Sequence, residues 1–229
     1  MCGRFALTTP HDAVAEHFGA AVAPELTERL GNVGPRWNVC PTTPVAAVVS
    51  GEDGRRLTAM RWGFLPRWYK SPTDGPLLIN ARSETVAEKP AFRDSARSRR
   101  CLVPADGFYE WLREGRVKRP FWVPPAAPGE PPVVAFAGVW RRWTGAEGEA
   151  IDSLAIVTCE AGPDVAHIHH REPVAIRAED AALWLGEAGR GAARLMRAAP
   201  EGFWAPREVS PKVNSNRAEG PELIEPLAG

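Results

Sequence analysis

Apolar positions along the chain fall into short runs, each closed by Gly, Pro or Asp, rather than into long stripes of helical period. Two such runs, residues 45–49 and 57–62, flank the turn-forming Gly51-Glu52-Asp53-Gly54 and read as a β-hairpin. The segments GFYEWL (107–112), FWV (121–123), VVAFAGVW (133–140) and SLAIVT (153–158) read as further strands, with shorter extended pieces at 79–82 and 101–103. Residues 2–8 form a strand or arm entering a short helix, with Thr9 as N-cap, Pro10 at the first helical position and Gly19 as the stop. Ser83 is placed to cap a helical stretch broken at Pro90, and Arg93, Arg97, Arg99 and Arg100 give the following segment a cationic face. Beyond the strands, helices are expected only at 178–185 and 192–198. FLPRWYKSPTDGP (64–76) reads as a loop, and PPAAPGEPP (124–132) as a flexible or polyproline surface loop. Many short strands with few helices, and no strand-helix alternation at crossover spacing, predict an α+β fold. The expected architecture is one compact domain over 1–229, with a mainly antiparallel, barrel-like β core and short peripheral helices.

Composition narrows the class. A chain of 229 residues buries one sizeable core. No apolar run approaches the ~20 residues of a membrane span, and MCGRFALTTPHD lacks secretory or transit character, so a cytoplasmic location without membrane association is expected. Cys2, Cys40, Cys101 and Cys159 are scattered without a C-x-x-C pair, so neither a zinc ribbon nor a disulfide framework is indicated and room is left for thiol chemistry. The formal net charge is zero, so any nucleic-acid-binding face must be a local patch.

Cys2 carries the first candidate chemistry. An initiator Met before a small residue is commonly removed, and the new terminus would then be a 1,2-aminothiol. An α-amine titrates near ~7.7–8.0, so neutral amine is available at physiological pH to attack an aldehyde. The adjacent thiol can then close on the imine carbon as a five-membered thiazolidine. The bland reading is a small residue at a frayed terminus.

Glu110 follows by strand alternation: it shares a face with Phe108 and Leu112, where desolvation would raise its pKa and suit it to proton transfer; an edge position facing water is the alternative. In HIHHREP, an extended segment would put His167 and His169 on one face; proton transfer or contact with a sugar oxygen is favoured over metal, since no further ligand lies at a familiar spacing. Asn80 ends an apolar run, where an amide can orient a substrate or satisfy a turn. Of nine Trp, Trp111, Trp140 and Trp184 read as core. Trp62 and Trp68 flank a loop beside Arg61, Arg67 and Lys70, an aromatic-cation mixture suited to single-stranded nucleic acid, with Trp68 the better candidate.

Together MCGRF, RWNVCPT, MRWGFLPRW, INARSET, CLVPADGFYEW, HIHHREP and VNSNRAEGPELI resemble, in order, the SOS response-associated peptidase (SRAP) family over nearly the whole chain. The resemblance implies a compact α+β fold and a protein that crosslinks itself to abasic sites in single-stranded DNA through its mature N-terminal Cys, shielding them during replication. By motif position it places the active residues at Cys2, Asn80, Glu110 and His169, and DNA contacts at Arg4, Asn38, Trp68, Arg82, Thr158 and Arg171. Cys2 would attack C1′ of the ring-opened sugar, Glu110 relay protons, His169 assist ring opening and Asn80 hold the N-terminus. No cofactor or metal is implied. Expected partners are abasic single-stranded DNA and replication-fork proteins, acting with a monomer at the bacterial nucleoid. The family's H-x-R-M-P appears with Glu172 in place of Met, beside Arg171, and the sequence leaves open whether Glu172 faces the DNA. Two rivals stay open: a thiol peptidase or autopeptidase using Cys2 and His169, and a non-covalent single-strand-binding module. Strand cleavage by β-elimination is a side activity consistent with an imine at C1′.

Overall fold

The computed structural model describes residues 2–31, 34–129 and 133–227. In chain order the strands are β1 (Phe5–Leu7), β2 (Ala20–Val22), β3 (Arg36–Val39), β4 (Pro44–Gly51), β5 (Gly54–Trp62), β6 (Asn80–Arg82), β7 (Arg100–Ala105), β8 (Gly107–Glu114), β9 (Val117–Val123), β10 (Val134–Thr144), β11 (Ala150–Glu160), β12 (Arg171–Pro173), β13 (Ala175–Ile176) and β14 (Arg207–Glu208). The α-helices are short: α1 (His11–His17), α2 (Pro24–Leu30), α3 (Arg93–Ser98), α4 (Pro163–Ala166) and α5 (Ala181–Leu185).

β11, β10, β7, β4 and β5 pair in turn, and β5 returns to β11 in parallel through Ser153↔Arg61 and Leu154↔Trp62, closing a five-strand barrel. Closure removes the free edges an open sheet would expose. β11 is long enough to serve several partners, running beside β5, then β6 at Ile156↔Asn80, then β12 at Thr158↔Pro173. The barrel-like core and α+β class expected from the sequence are therefore the observed ones.

The second sheet has the antiparallel order β14-β9-β8-β1-β3 and packs against apolar residues on both faces. Strand alternation explains how. Phe5, Phe108 and Val123 belong to the main core with the barrel, whereas their neighbours Ala6, Tyr109 and Trp122 pack on the other face against Val209, Val213 and Leu223. Aromatic contacts join sheet to barrel: Phe5 lies 5.2 Å from Trp62, and Phe108 meets Phe136 edge-on at 6.0 Å. Phe108 is fully buried at this junction, so Phe108→Ala is expected to cost about 3–5 kcal/mol, read as a lower urea midpoint with unchanged slope. The chain crosses from barrel to sheet at Asp106, whose carboxylate gathers Thr8 N (2.6 Å), Thr8 Oγ1 (2.6 Å) and Thr9 Oγ1 (2.9 Å). That knot fixes the chain just after β1.

The knot also corrects one expectation: with its hydroxyl spent on Asp106, Thr9 caps nothing, and Pro10 occupies the N-cap of α1. Two α-helices among the described residues lie outside the expected set. α2 starts on Pro24 and buries Leu26 and Leu30, and α4 starts on Pro163. The stretch expected to be helical after Ser83 is a run of turns, and 192–198 shrinks to a 3-10 helix, Ala192–Leu195. The 45–62 hairpin is as read, extended to Pro44–Gly51 and Gly54–Trp62. Residues 130–132 of the expected Pro-rich loop lie outside the described residues. Among the described residues no helix is long and apolar enough to cross a membrane.

Candidate active site

Cys2 directly precedes the second sheet, and β6, on the flank of β11, brings Asn80 to it. The Asn80 side-chain amide donates to the Cys2 carbonyl at 2.8 Å, a bond across 78 positions of sequence. Cys2 is fully buried, and its thiol pKa is pushed far up, first by burial and then by the nearby Glu110 carboxylate. Glu110 reaches that place by alternation on β8: it follows Phe108 on the same face, and it is 4% exposed rather than solvated at an edge.

His169 comes from the connection between β11 and β12. The extended reading of HIHHREP does not hold: residues 163–166 form α4, His167 is its helical C-cap, and a strand resumes only at Arg171. His167 consequently leaves the site and stands edge-on to Phe121 at 6.5 Å, while His169 stacks on His170 at 4.3 Å. His169 Nδ1 faces both the Arg171 N–H at 3.0 Å and the Arg171 carbonyl at 3.3 Å; when it accepts from the nearer N–H, the neutral ring carries its proton on Nε2. Burial lowers the His169 pKa, opposed by the Glu110 carboxylate, so the neutral imidazole prevails at physiological pH. No group of three or more His, Cys, Asp or Glu placed to hold a metal occurs among the described residues.

Glu110 and His169 open on a cleft of ≈ 720 Å³, lined also by Arg4, Arg82, Trp111, Arg113, Lys118, His170, Arg171 and Asn214, while Cys2 lies buried behind that lining. Cations dominate the lining although the chain as a whole is neutral, which is the local patch that neutrality demanded. Arg4 is held rigid: Nη1 donates to Asn38 Oδ1 (2.8 Å) and Val213 O (2.7 Å), Nη2 donates to Asn216 Oδ1 (2.5 Å), and the guanidinium lies 5.6 Å from the Trp111 ring. Asn38 is buried and donates to Ser215 O and Ala218 O, so it acts through Arg4 and the 213–218 strap rather than from the cleft surface. Thr158 is likewise buried, its carbonyl accepting from Arg171 Nη2 at 2.5 Å. Arg171 also pairs with Glu84 at 2.7 Å, which holds the Glu84 carboxyl at about 2. Arg82 is exposed at the cleft, whereas Trp68, 51% exposed, stands on the 64–76 loop outside the cleft lining. Trp62 is buried, as is Trp184; Trp111 and Trp140 are only partly so, and Trp111 is a cleft wall rather than core. Glu172 points away from the cleft into the interior, fully buried.

Sequence reasoning missed Asn214 and Asn216. Asn214 Oδ1 accepts from the Trp111 indole at 2.7 Å, and Asn216 holds Arg4. The signal was the polar run Asn214-Ser215-Asn216 without strand alternation, which marks side chains tied to distant partners.

Barrel and sheet thus define an α+β protein whose second residue, a cysteine, is sealed beside a buried carboxylate that, with an imidazole, lines a cationic cleft. The family model described as SOS response associated peptidase (SRAP) matches residues 1–216, and the chain belongs to that family. It is 34% identical over 230 residues to "Abasic site processing protein YoqW" of Bacillus subtilis, covering 98% of this chain and 99% of that protein. It is 31% identical to "Abasic site processing protein YedK" of Escherichia coli, covering 99% of this chain and 100% of that protein. Similarity extends to "Abasic site processing protein HMCES" of Gallus gallus, 30% identical over 99% of this chain and 78% of that protein. A crystal structure of a protein from Bacteroides thetaiotaomicron shares the fold, with TM-score 0.86 and 22% identity over 99% of this chain and 100% of that one.

Proposed function

We propose that this protein, as one domain over 1–229, bonds covalently to abasic sites in single-stranded DNA through Cys2 once Met1 is removed. The observation that carries the reading is a buried Cys2, its carbonyl bonded by Asn80 at 2.8 Å, beside Glu110, which with His169 lines a cationic cleft. The abasic-site-processing names of the relatives agree with it.

As the sugar ring opens, the C1′–O bond to the ring oxygen breaks, the C1′ hydroxyl proton passes to that oxygen and C1′ becomes the aldehyde; His169, with its proton on Nε2, hydrogen-bonds to the ring oxygen and stabilises the charge that develops on it. The Cys2 amine attacks C1′, forming the N–C1′ bond. Glu110 takes the proton that the nitrogen gives up and returns one to the hydroxyl, which leaves as water. The thiol then adds to the imine carbon: the S–C1′ bond forms, the sulfur proton passes to nitrogen, and a thiazolidine results. Asn80 fixes the direction of the Cys2 backbone throughout. Amine-first order suits the thiol, because burial and the Glu110 charge hold it protonated, the opposite of the thiolate a cysteine peptidase requires. Arg4, Arg82 and Arg171 meet the backbone phosphates, with Asn38 and Thr158 supporting them from behind and Trp68 offering a stacking face farther along the strand.

The test is a denaturing gel of the wild-type protein with an oligonucleotide carrying one abasic site. A heat-stable shifted band is expected, absent with intact DNA and absent when methoxyamine caps the aldehyde first. A band that forms with intact DNA overturns the reading.

Glu84 holds Arg171 in an ion pair, so it competes with phosphate for that cation. Glu84→Gln is expected to tighten binding of intact single strands and to steepen the dependence of log K on log salt by about 0.7, one phosphate's share. Anisotropy titrations over a salt series read both.

A further inference from the structure

We infer that Glu172 is a positioning residue for His169: its buried carboxylate ties the two ends of the loop that presents the imidazole to a neighbouring segment of chain. Strand alternation on β12 puts Arg171 in the cleft and turns Glu172 inward, where it is fully buried. There Glu172 Oε2 accepts from Gly162 N at 2.9 Å and Oε1 accepts from Ala199 N at 2.7 Å. Gly162 is the N-cap of α4, at the start of the loop, and Glu172 lies just past its end. The same loop is closed by Ala161 N donating to His170 O at 3.0 Å, and His169 N donates to Val165 O at 3.0 Å. One carboxylate therefore joins entry and exit of the loop and anchors both to residue 199.

A second carboxylate repeats the connection. Asp164 Oδ1 accepts from Gly202 N at 3.0 Å, and Oδ2 accepts from Trp204 N at 2.9 Å. The approach is close: a Cβ on Gly162 would stand 3.0 Å from Ala199 O, so the segments touch backbone to backbone and need their polar groups paired. In this chain the loop is held by hydrogen bonds to a carboxylate. The peptide that bears Glu172 follows the Arg171 N–H that fixes His169 Nδ1, so displacement of Glu172 reaches the tautomer and aim of the imidazole directly. Proton donation depends steeply on such aim.

Two measurements on the full chain test this. The rate measurement rests on the crosslinking reading: Glu172→Ala and Glu172→Gln are compared in the wild-type and His169→Ala backgrounds, with thermal melts confirming folding. Glu172→Ala is expected to slow crosslink formation about tenfold with His169 present and less than about twofold without it, because the effect passes through that ring. Glu172→Gln keeps the volume and one acceptor, remains informative where the Ala variant does not fold, and is expected to fall between. An equal slowing in both backgrounds overturns the inference. The second measurement needs no DNA: long-range ¹H–¹⁵N spectra of the imidazoles should show His169 as a single Nε2–H tautomer in the wild type and as a tautomer mixture in either Glu172 variant. An unchanged His169 signal in folded variants overturns the inference even if the wild type crosslinks. A wild type that makes no crosslink counts against the functional reading alone, and the spectra then decide the role of Glu172.

Discussion

Replacing the Cys2 sulfur is expected to abolish the durable adduct while sparing the first chemical step. Cys2→Ala and Cys2→Ser keep the α-amine and a small residue after Met1, so an imine with the abasic aldehyde still forms and borohydride still traps it. Without reductant, the heat-stable band should fall by on the order of 10³-fold or more, since no thiol held at high effective concentration remains to close the ring. The untrapped imine acidifies the C2′ protons, so strand scission by β-elimination should rise as the crosslink falls. A denaturing gel with and without borohydride reads all of this. A non-covalent binding module predicts the opposite pattern, with binding indifferent to Cys2 and no borohydride-trapped species. A peptidase predicts no adduct from any variant.

Glu110→Gln is expected to slow crosslink formation by about 10²-fold or more with little loss of stability. The substitution preserves volume and hydrogen-bonding length on β8 but removes the group proposed to accept and return the proton during loss of water, a role typically worth ~10²–10⁴. Stability should hold because Gln keeps the buried volume and the oxygen that accepts from Trp111 N at 3.3 Å. Single-turnover rates with saturating abasic DNA, set beside a urea melt, separate the two effects. An undiminished rate removes Glu110 from the reaction and leaves it a structural carboxylate. In the same experiment Asn80→Ala should slow the reaction less, because it loosens the direction of the terminus without removing a reacting group.

Features with a local cause were legible in the chain itself. The 45–62 hairpin announced itself through alternation around a Gly-Glu-Asp-Gly turn, and Glu110 through its place one step along the strand face from Phe108. α2 was legible as well and was overlooked: Pro24 at the first turn with Leu26 and Leu30 four apart is an amphipathic helix with its start signal. α4 is only four residues, too short for any periodicity to rise above the strand-like His-Ile-His pattern that follows it. The supports of the cleft were hidden for a different reason. Arg4 meets Val213 across 209 positions and Asn216 across 212, and Thr9 gives its hydroxyl to a carboxylate 97 residues away rather than to the adjacent helix. No local rule encodes such pairings; they exist because the second sheet brings the N-terminal strand under the C-terminal strap. Glu172 follows the same logic, its side chain turned by one strand position from phosphate-facing to interior.

The most direct test of the central claim is the intact mass of the wild-type protein before and after reaction with a single-stranded oligonucleotide bearing one abasic site. The account predicts a protein lacking Met1 and beginning at Cys2, and then one new species whose mass equals protein plus oligonucleotide minus one water, surviving denaturation without reductant. A protein that has lost Met1 and remains unmodified by the abasic strand contradicts it.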